Sequence, residues 1–278
     1  GGMVSDPQVG TSNFFRTFDL SAVVSEASSH ELRLQSDFDG RFNFNLGAIW
    51  YNGKANQLEN NEESYYVFSN SLTALTQINN ALGGAIFGGI TSVDNSGNGE
   101  PPILSNLDAT GRNYFRSISP YELESFAMFG ETYLDITDDL QLTVGLRYTK
   151  DEKEQKNIPT YLFVPDAARP DPFQPSPAPG APDGIFRAEF EEVTGRIGFD
   201  WSPDFSFSED TLIYGFYSRG YKGGGINPPQ PAGNPDAFPQ FFDPEFINSY
   251  ELGTKNTLAG GALQLNATGF YYDYEGYQ

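Results

Sequence analysis

The segment LQLTVGLRYT, residues 140–149, decides the fold because its side chains alternate between apolar and polar. In an extended chain, successive side chains point to opposite faces. Leu142, Val144 and Leu146 therefore share one face, and Thr143 and Arg147 lie on the other. This period of two predicts a β-strand with two unlike faces.

The same alternation recurs along the 278 residues and predicts an all-β protein. Further strands are predicted where the pattern returns, around 31–35, 42–51, 121–135, 192–201, 211–221, 249–255 and 263–268. With 140–149 they make about eight strands. The 30 glycines and 19 prolines disfavour long helices.

The connections between these strands alternate between short and long. Residues 38–41, 136–139, 202–210 and 258–261 are short, whereas 52–120, 151–187 and 222–245 are long loops. Short turns at one end and long loops at the other are typical of a bacterial outer-membrane barrel. We therefore expect an antiparallel up-and-down transmembrane β-barrel with long extracellular loops and short periplasmic turns. Residues 1–28 are an N-terminal segment, assigned to a preceding strand or loop.

Aromatic residues near strand ends fit the same interpretation. Such residues commonly form girdles at the two membrane surfaces. The candidates are Trp50, Tyr51, Tyr148, Trp201, Tyr221, Tyr271 and Tyr272. A soluble antiparallel sheet with one wet face is the alternative explanation of the alternation.

Composition excludes several functions. The chain has 16 basic and 37 acidic residues and a net charge of −21, so we expect no nucleic-acid binding, which needs clustered Lys and Arg. It has no cysteine, which excludes disulfides and zinc–thiolate or Fe–S sites. A hydrolase would have to be built around His30, the one histidine. We expect no enzyme, no cofactor and no metal site; segment 94–99 matches only the first half of a calcium loop.

Binding residues are expected on the loops and on the polar faces of the strands. The candidates for substrate contact lie where long loops meet strands: Phe115, Arg116, Tyr121, Tyr221 and Lys222. The charged residues expected to face a lumen are Glu131, Arg147, Glu192, Arg196, Arg219, Glu251 and Lys255. Cross-strand ion pairs that hold the wall would explain the second set equally well.

Five stretches resemble the TonB-dependent receptors, the energised outer-membrane transporters of Gram-negative bacteria. They are ELRL at 31–34, FGETYLDITD continuing into LTVGLRYT at 129–149, YSRGYKGGGIN at 217–227, PE with SYELGTK at 244–255, and NATGFYYDY at 266–274. The resemblance implies uptake of a scarce solute, most often a ferric siderophore, powered by TonB. It places the protein in outer-membrane lipid.

The resemblance covers roughly 29–278 and departs from the family in extent. Transporters of this kind have about 22 strands and a plugged lumen. Only about eight strands and no plug are visible here, so we expect a partial barrel that TonB reaches through a plug domain absent from this chain. A passive porin-type channel and a soluble extracellular β-sandwich binding module remain as alternatives.

Overall fold

The computed structural model describes residues 3–6, 10–21, 23–56, 65–69, 74, 78, 82, 115–117, 119–158, 161–162, 175, 177–228 and 239–278. Over these residues the chain is built almost wholly from strands. No helix in this part of the chain is both long enough and apolar enough to cross a membrane. Segment 94–99 lies outside the described residues.

Strands of very different length follow one another along the chain. In order they are β1 (Val4–Asp6), β2 (Gly10–Ser12), β3 (Thr17–Ser21), β4 (Ser25–Gln35), β5 (Phe42–Ala55), β6 (Tyr65–Ser69), β7 (Phe115–Ser117), β8 (Tyr121–Asp135), β9 (Leu140–Lys156), β10 (Tyr161–Leu162), β11 (Ile185–Trp201), β12 (Asp210–Lys222), β13 (Gly225–Ile226), β14 (Phe241–Phe242), β15 (Glu245–Leu258) and β16 (Leu263–Glu275).

The eight long strands form one antiparallel sheet. Its order is β4-β5-β8-β9-β11-β12-β15-β16, so each long strand pairs with the next long strand along the chain. Four short strands, β3, β6, β7 and β10, form a separate sheet. The predicted all-β, up-and-down antiparallel architecture of about eight strands is confirmed.

The register divides the main sheet into an apolar face and a polar face. Leu146 lies opposite Gly195 and Gly130, and Arg147 lies opposite Thr194 and Phe129. The apolar face is the open one: Leu146 and Leu252 are 63% and 60% exposed. On the polar face, Thr143 is only 5% exposed. The large apolar side chains are thus exposed on one whole face of the sheet, the reverse of a water-soluble sheet.

The apolar face is a band with sharp edges. On β9 it runs from Leu140 to Tyr148, nine residues, which matches the length of a transmembrane strand. Trp50 and Trp201 stand at its two ends, and each indole N–H donates to a carboxylate, Glu124 at 3.1 Å and Asp139 at 3.0 Å respectively. Tryptophan takes this position at a membrane surface, with its ring in the apolar layer and its N–H in the polar one.

Beyond Trp50 and Tyr148 the strands continue without an apolar face. β9 and β11 stay paired up to Lys156 and Ile185, although 151–187 was expected to be loop. The outward side chains there are charged and form cross-strand ion pairs, such as Lys150 with Glu189 at 3.3 Å. We call this end of the sheet, which carries the long connections, the loop end, and the opposite end the turn end.

The strands β11 and β12 separate at the loop end. Their pairing stops at Gly195 and Arg219, although β11 continues with β9 and β12 continues with β15. The segment after β12 then covers the polar face. Ile226 packs with Phe186 and Ala181 in a buried apolar cluster.

Candidate functional site

A group of polar side chains meets on the polar face at the loop end. Asp151 of β9 is 9% exposed and both of its oxygens are used. Ser125 Oγ donates to Asp151 Oδ1 at 2.6 Å, and Tyr221 Oη donates to Oδ2 at 3.0 Å. We call Tyr121, Ser125, Asp151, Lys153 and Tyr221 the mouth cluster.

The mouth cluster holds the glycine-rich segment that follows β12. Lys153 Nζ donates a hydrogen bond to the backbone oxygen of Gly224. The same ammonium lies 5.6 Å from the ring centre of Phe190. Gly224 must be glycine because a Cβ there would lie 2.6 Å from Phe190 Cε1. The segment is therefore fixed against β9 and β11 at the loop end.

Burial and the Asp151 carboxylate shift the ionisation of the mouth cluster, which lies beyond the apolar band. Burial, followed by Asp151 and Tyr51, raises the pKa of Tyr121 to about 12. Burial and then Asp151 also raise the pKa of Tyr221. Burial lowers the pKa of Lys153, while Asp151 opposes that change. Both tyrosines are therefore neutral hydrogen-bonding groups at physiological pH.

A second polar group occupies the middle of the polar face. Arg196 Nε lies 2.6 Å from Glu131 Oε1, and Tyr133 Oη donates to Glu131 Oε2 at 2.6 Å. Arg147 lies next to them, and its Nε donates to Thr149 Oγ1 at 3.0 Å. Glu131, Arg147 and Arg196 line a cleft of about 340 Å³, together with Asn45 and Phe129.

The sequence profile described as "TonB dependent receptor-like, beta-barrel" matches residues 5–278. The chain belongs to this TonB-dependent receptor family. Members are outer-membrane proteins of Gram-negative bacteria, which accounts for the exposed apolar band. The soluble β-sandwich is therefore excluded. No curated protein matches the sequence significantly.

Two solved structures show the same fold as this TonB-dependent receptor barrel. The ferric yersiniabactin uptake receptor FyuA from Yersinia pestis has a TM-score of 0.55 at 16% identity, and the match covers 95% of this chain and 30% of FyuA. The siderophore receptor PiuA from Acinetobacter baumannii has a TM-score of 0.50 at 19% identity, with 89% of this chain and 31% of PiuA covered. The chain thus spans about 30% of the length of these receptors.

The receptor barrel brings together only some of the residues predicted to contact substrate. Tyr121 and Tyr221 both belong to the mouth cluster. Lys222 is instead exposed, with Nζ 3.5 Å from Glu245. Phe115 and Arg116 lie in β7, in the separate four-stranded sheet, and their side chains are outside the described residues.

Most of the charged residues predicted to face the lumen lie on the polar face. The register places six there: Glu131, Arg147, Glu192, Arg196, Glu251 and Lys255. Arg219 is different, because it lies opposite Gly195, the partner of Leu146, at the point where β11 and β12 separate, and it also lines the cleft on the polar face. There its guanidinium stacks 4.3 Å from the ring centre of Phe246 and lies 3.6 Å from Glu275.

Asp151, Lys153 and Asn45 were missed by sequence reasoning. Asp151 and Lys153 fall within 151–187, which the sequence predicts to be a loop. The spacing of these two residues was a usable signal, since residues two apart share a strand face. Among the described residues no group of three or more His, Cys, Asp or Glu could hold a metal ion.

Proposed function

We propose that this chain forms part of the wall and external mouth of a receptor that takes up a ferric siderophore across the outer membrane. The observation that carries the proposal is the family match over residues 5–278. The likeness to FyuA, a ferric yersiniabactin uptake receptor, and to PiuA, a siderophore receptor, supports the choice of solute. The polar face lines the lumen, and the loop end faces the medium.

TonB is the proposed energy-coupling partner, acting through a plug domain that the matched barrel residues do not include. The chain itself performs no bond chemistry in this proposal. Its neutral tyrosine hydroxyls and mouth aromatics offer hydrogen bonds and flat contact surfaces, which suit an oxygen-rich organic complex of iron. Tyr121 and Tyr221 are the proposed solute contacts, and Lys153 positions the adjacent glycine segment.

Radioiron uptake tests the proposal. The protein is expressed in the outer membrane of a Gram-negative strain that lacks its own siderophore receptors, with and without TonB. We expect uptake of iron from at least one siderophore of a mixed catecholate, hydroxamate and carboxylate panel, abolished without TonB. Passage of small sugars into vesicles in place of energised uptake would instead establish the passive porin.

Two tyrosine substitutions test whether the solute binds at the loop end. Tyr221→Phe removes one hydroxyl from the mouth cluster and should raise the half-saturating siderophore concentration about fivefold, the effect of one lost hydrogen bond. Tyr148→Phe is the matched control because Tyr148 lies on the apolar face. Equal effects of the two changes would refute the assignment of the mouth cluster.

A further inference from the structure

The apolar face has a groove where β11, β12 and β15 lie side by side. Gly215 of β12 lies opposite Phe199 on one side and Leu252 on the other. A Cβ on Gly215 would lie 2.9 Å from Phe199 Cε1 and 3.2 Å from Leu252 Cδ1, so both side chains lean over the glycine. With Leu142 and Ile197 these residues line a groove of about 540 Å³. The apolar face is therefore indented here.

Three tyrosines line the groove on its loop-end side. Tyr217, Tyr250 and Tyr271 lie opposite one another on β12, β15 and β16, with ring centres 5.0 Å and 6.2 Å apart. The next residues of the same parity on β15 and β16 are Asn248 and Asp273, which lie opposite each other. The tyrosine row thus marks the loop-end edge of the apolar band on these strands. The groove opens beside the headgroup layer of the membrane, where tyrosine is enriched.

The lining of the groove suits hydrocarbon and not water. Tyr217 Oη donates to Asn248 Oδ1 at 3.0 Å, which directs this hydroxyl to the polar edge. The charged residue at the rim, Glu251, accepts a hydrogen bond from Tyr214 Oη at 2.9 Å on the polar face. A water molecule would need at least two polar partners in the groove. An unfilled groove would forfeit dispersion contacts along its walls, so a chain of methylene groups is the favoured occupant.

We propose that this groove binds one acyl chain of lipopolysaccharide. The chain enters beside Tyr250 and lies against Gly215, between Phe199 and Leu252. The groove is continuous with the apolar band that meets membrane lipid, and its tyrosine side belongs to the loop end, which faces the medium in the proposed function. The inference rests on that orientation, because lipopolysaccharide forms the outer leaflet of the outer membrane.

Tryptophan quenching by brominated lipid tests the proposal. Trp50 and Trp201, the two native tryptophans, are first replaced by phenylalanine. Tyr250→Trp then places one reporter in the tyrosine row, and Tyr148→Trp is the matched control at the loop-end edge of the band on β9, outside the groove. Each protein is placed in vesicles of brominated phosphatidylcholine, and unbrominated lipopolysaccharide is added.

We expect lipopolysaccharide to restore the fluorescence of Tyr250→Trp at an about tenfold lower mole fraction than that of Tyr148→Trp, equivalent to about 1.4 kcal/mol of preference. Both reporters meet the surrounding lipid, but only the first lies beside the groove. Leu252→Phe narrows the groove and should abolish the difference between the reporters. Leu146→Phe makes the same change on the same face outside the groove and should leave the difference unchanged.

Equal mole fractions at the two reporters overturn the inference, as does a tenfold difference that survives Leu252→Phe. Quenching of Tyr250→Trp that lipopolysaccharide does not relieve also overturns it, because phospholipid then occupies the groove. So does an unquenched Tyr250→Trp, because a protein segment then covers the groove. TonB-dependent iron uptake with equal mole fractions refutes this inference alone. A preference for lipopolysaccharide without energised uptake keeps the lipid site and refutes the proposed transport.

Discussion

Ile197→Arg tests directly that the apolar face contacts hydrocarbon. Ile197 is 48% exposed and lies opposite Val144, midway between Leu140 and Tyr148. If this band spans the membrane, Ile197 lies near the bilayer midplane. An arginine there should destabilise the barrel by about 2–4 kcal/mol, whereas the same residue near the interface costs about 0–1 kcal/mol.

The prediction is most specific in how the free-energy cost of an arginine depends on its depth in the membrane. Tyr148→Arg, at the edge of the band, should cost no more than about 1 kcal/mol. A loss of 2–4 kcal/mol changes the unfolding equilibrium on the order of 30- to 1,000-fold, so the two positions are well separated. Gln141→Arg controls for the added charge, because Gln141 lies on the polar face and already donates to Asp135 at 2.8 Å.

Urea unfolding in phospholipid vesicles is the assay. Trp50 and Trp201, at the two edges of the band, report the transfer of the sheet out of lipid by their fluorescence. Native Arg196, one residue from Ile197 but on the polar face, shows that this depth accepts an arginine when it faces away from lipid. Equal costs at Ile197 and Tyr148, or a stabilising effect at Ile197, would refute the lipid contact.

Two further predictions concern the loop end. Asp151→Asn should lower the pKa of Tyr121 from about 12, while burial keeps that pKa above 10. The titration is measured by absorbance at 295 nm, and Tyr121→Phe identifies the signal of Tyr121. Because the pKa of Tyr121 is raised in the folded protein, its contribution to stability is complete below pH 10 and is lost as the pH rises to about 12. Asp151→Asn should reduce this loss of stability. An unchanged titration of Tyr121 would contradict the placement of Asp151. Gly224→Ala introduces a Cβ 2.6 Å from Phe190 Cε1 and should speed protease cleavage within 222–245, while Gly269→Ala, with open space around it, should not; equal cleavage would show that the segment is not held.

The alternation of apolar and polar residues predicted the strands and their faces wherever one face of a strand meets lipid and the other meets water. It failed beyond Tyr148, where both faces of β9 are wet and the charged run 150–156 no longer alternates in hydropathy. The ladder of hydrogen bonds nevertheless continues to Lys156, because cross-strand pairing with β11 and ion pairs replace the apolar face. A strand end with both faces in water therefore has no hydropathy pattern that would predict it.

Positions that depend on several strands could not be predicted from one strand. Tyr51 was expected in the aromatic girdle, but it lies opposite Ser125 on the polar face. Tyr221 was also expected in the girdle, but its hydroxyl reaches Asp151, because β11 and β12 separate beyond Arg219. That Asn45 and Arg147 line the same cleft depends on the register of β5, β8 and β9 together, and no spacing within one segment encodes it.

The alternation of side chains along each strand links the stability of this barrel wall to the placement of its charges. Leu146 and Arg147 are consecutive residues, and the pairing of β9 with β8 and β11 decides which of them meets hydrocarbon. A one-residue slip would place the charge on the apolar face and the leucine on the polar face, because side-chain orientation repeats every two residues. The apolar band therefore does more than anchor the sheet in the membrane. By fixing the register through lipid contact, it also fixes which charged groups lie on the polar face.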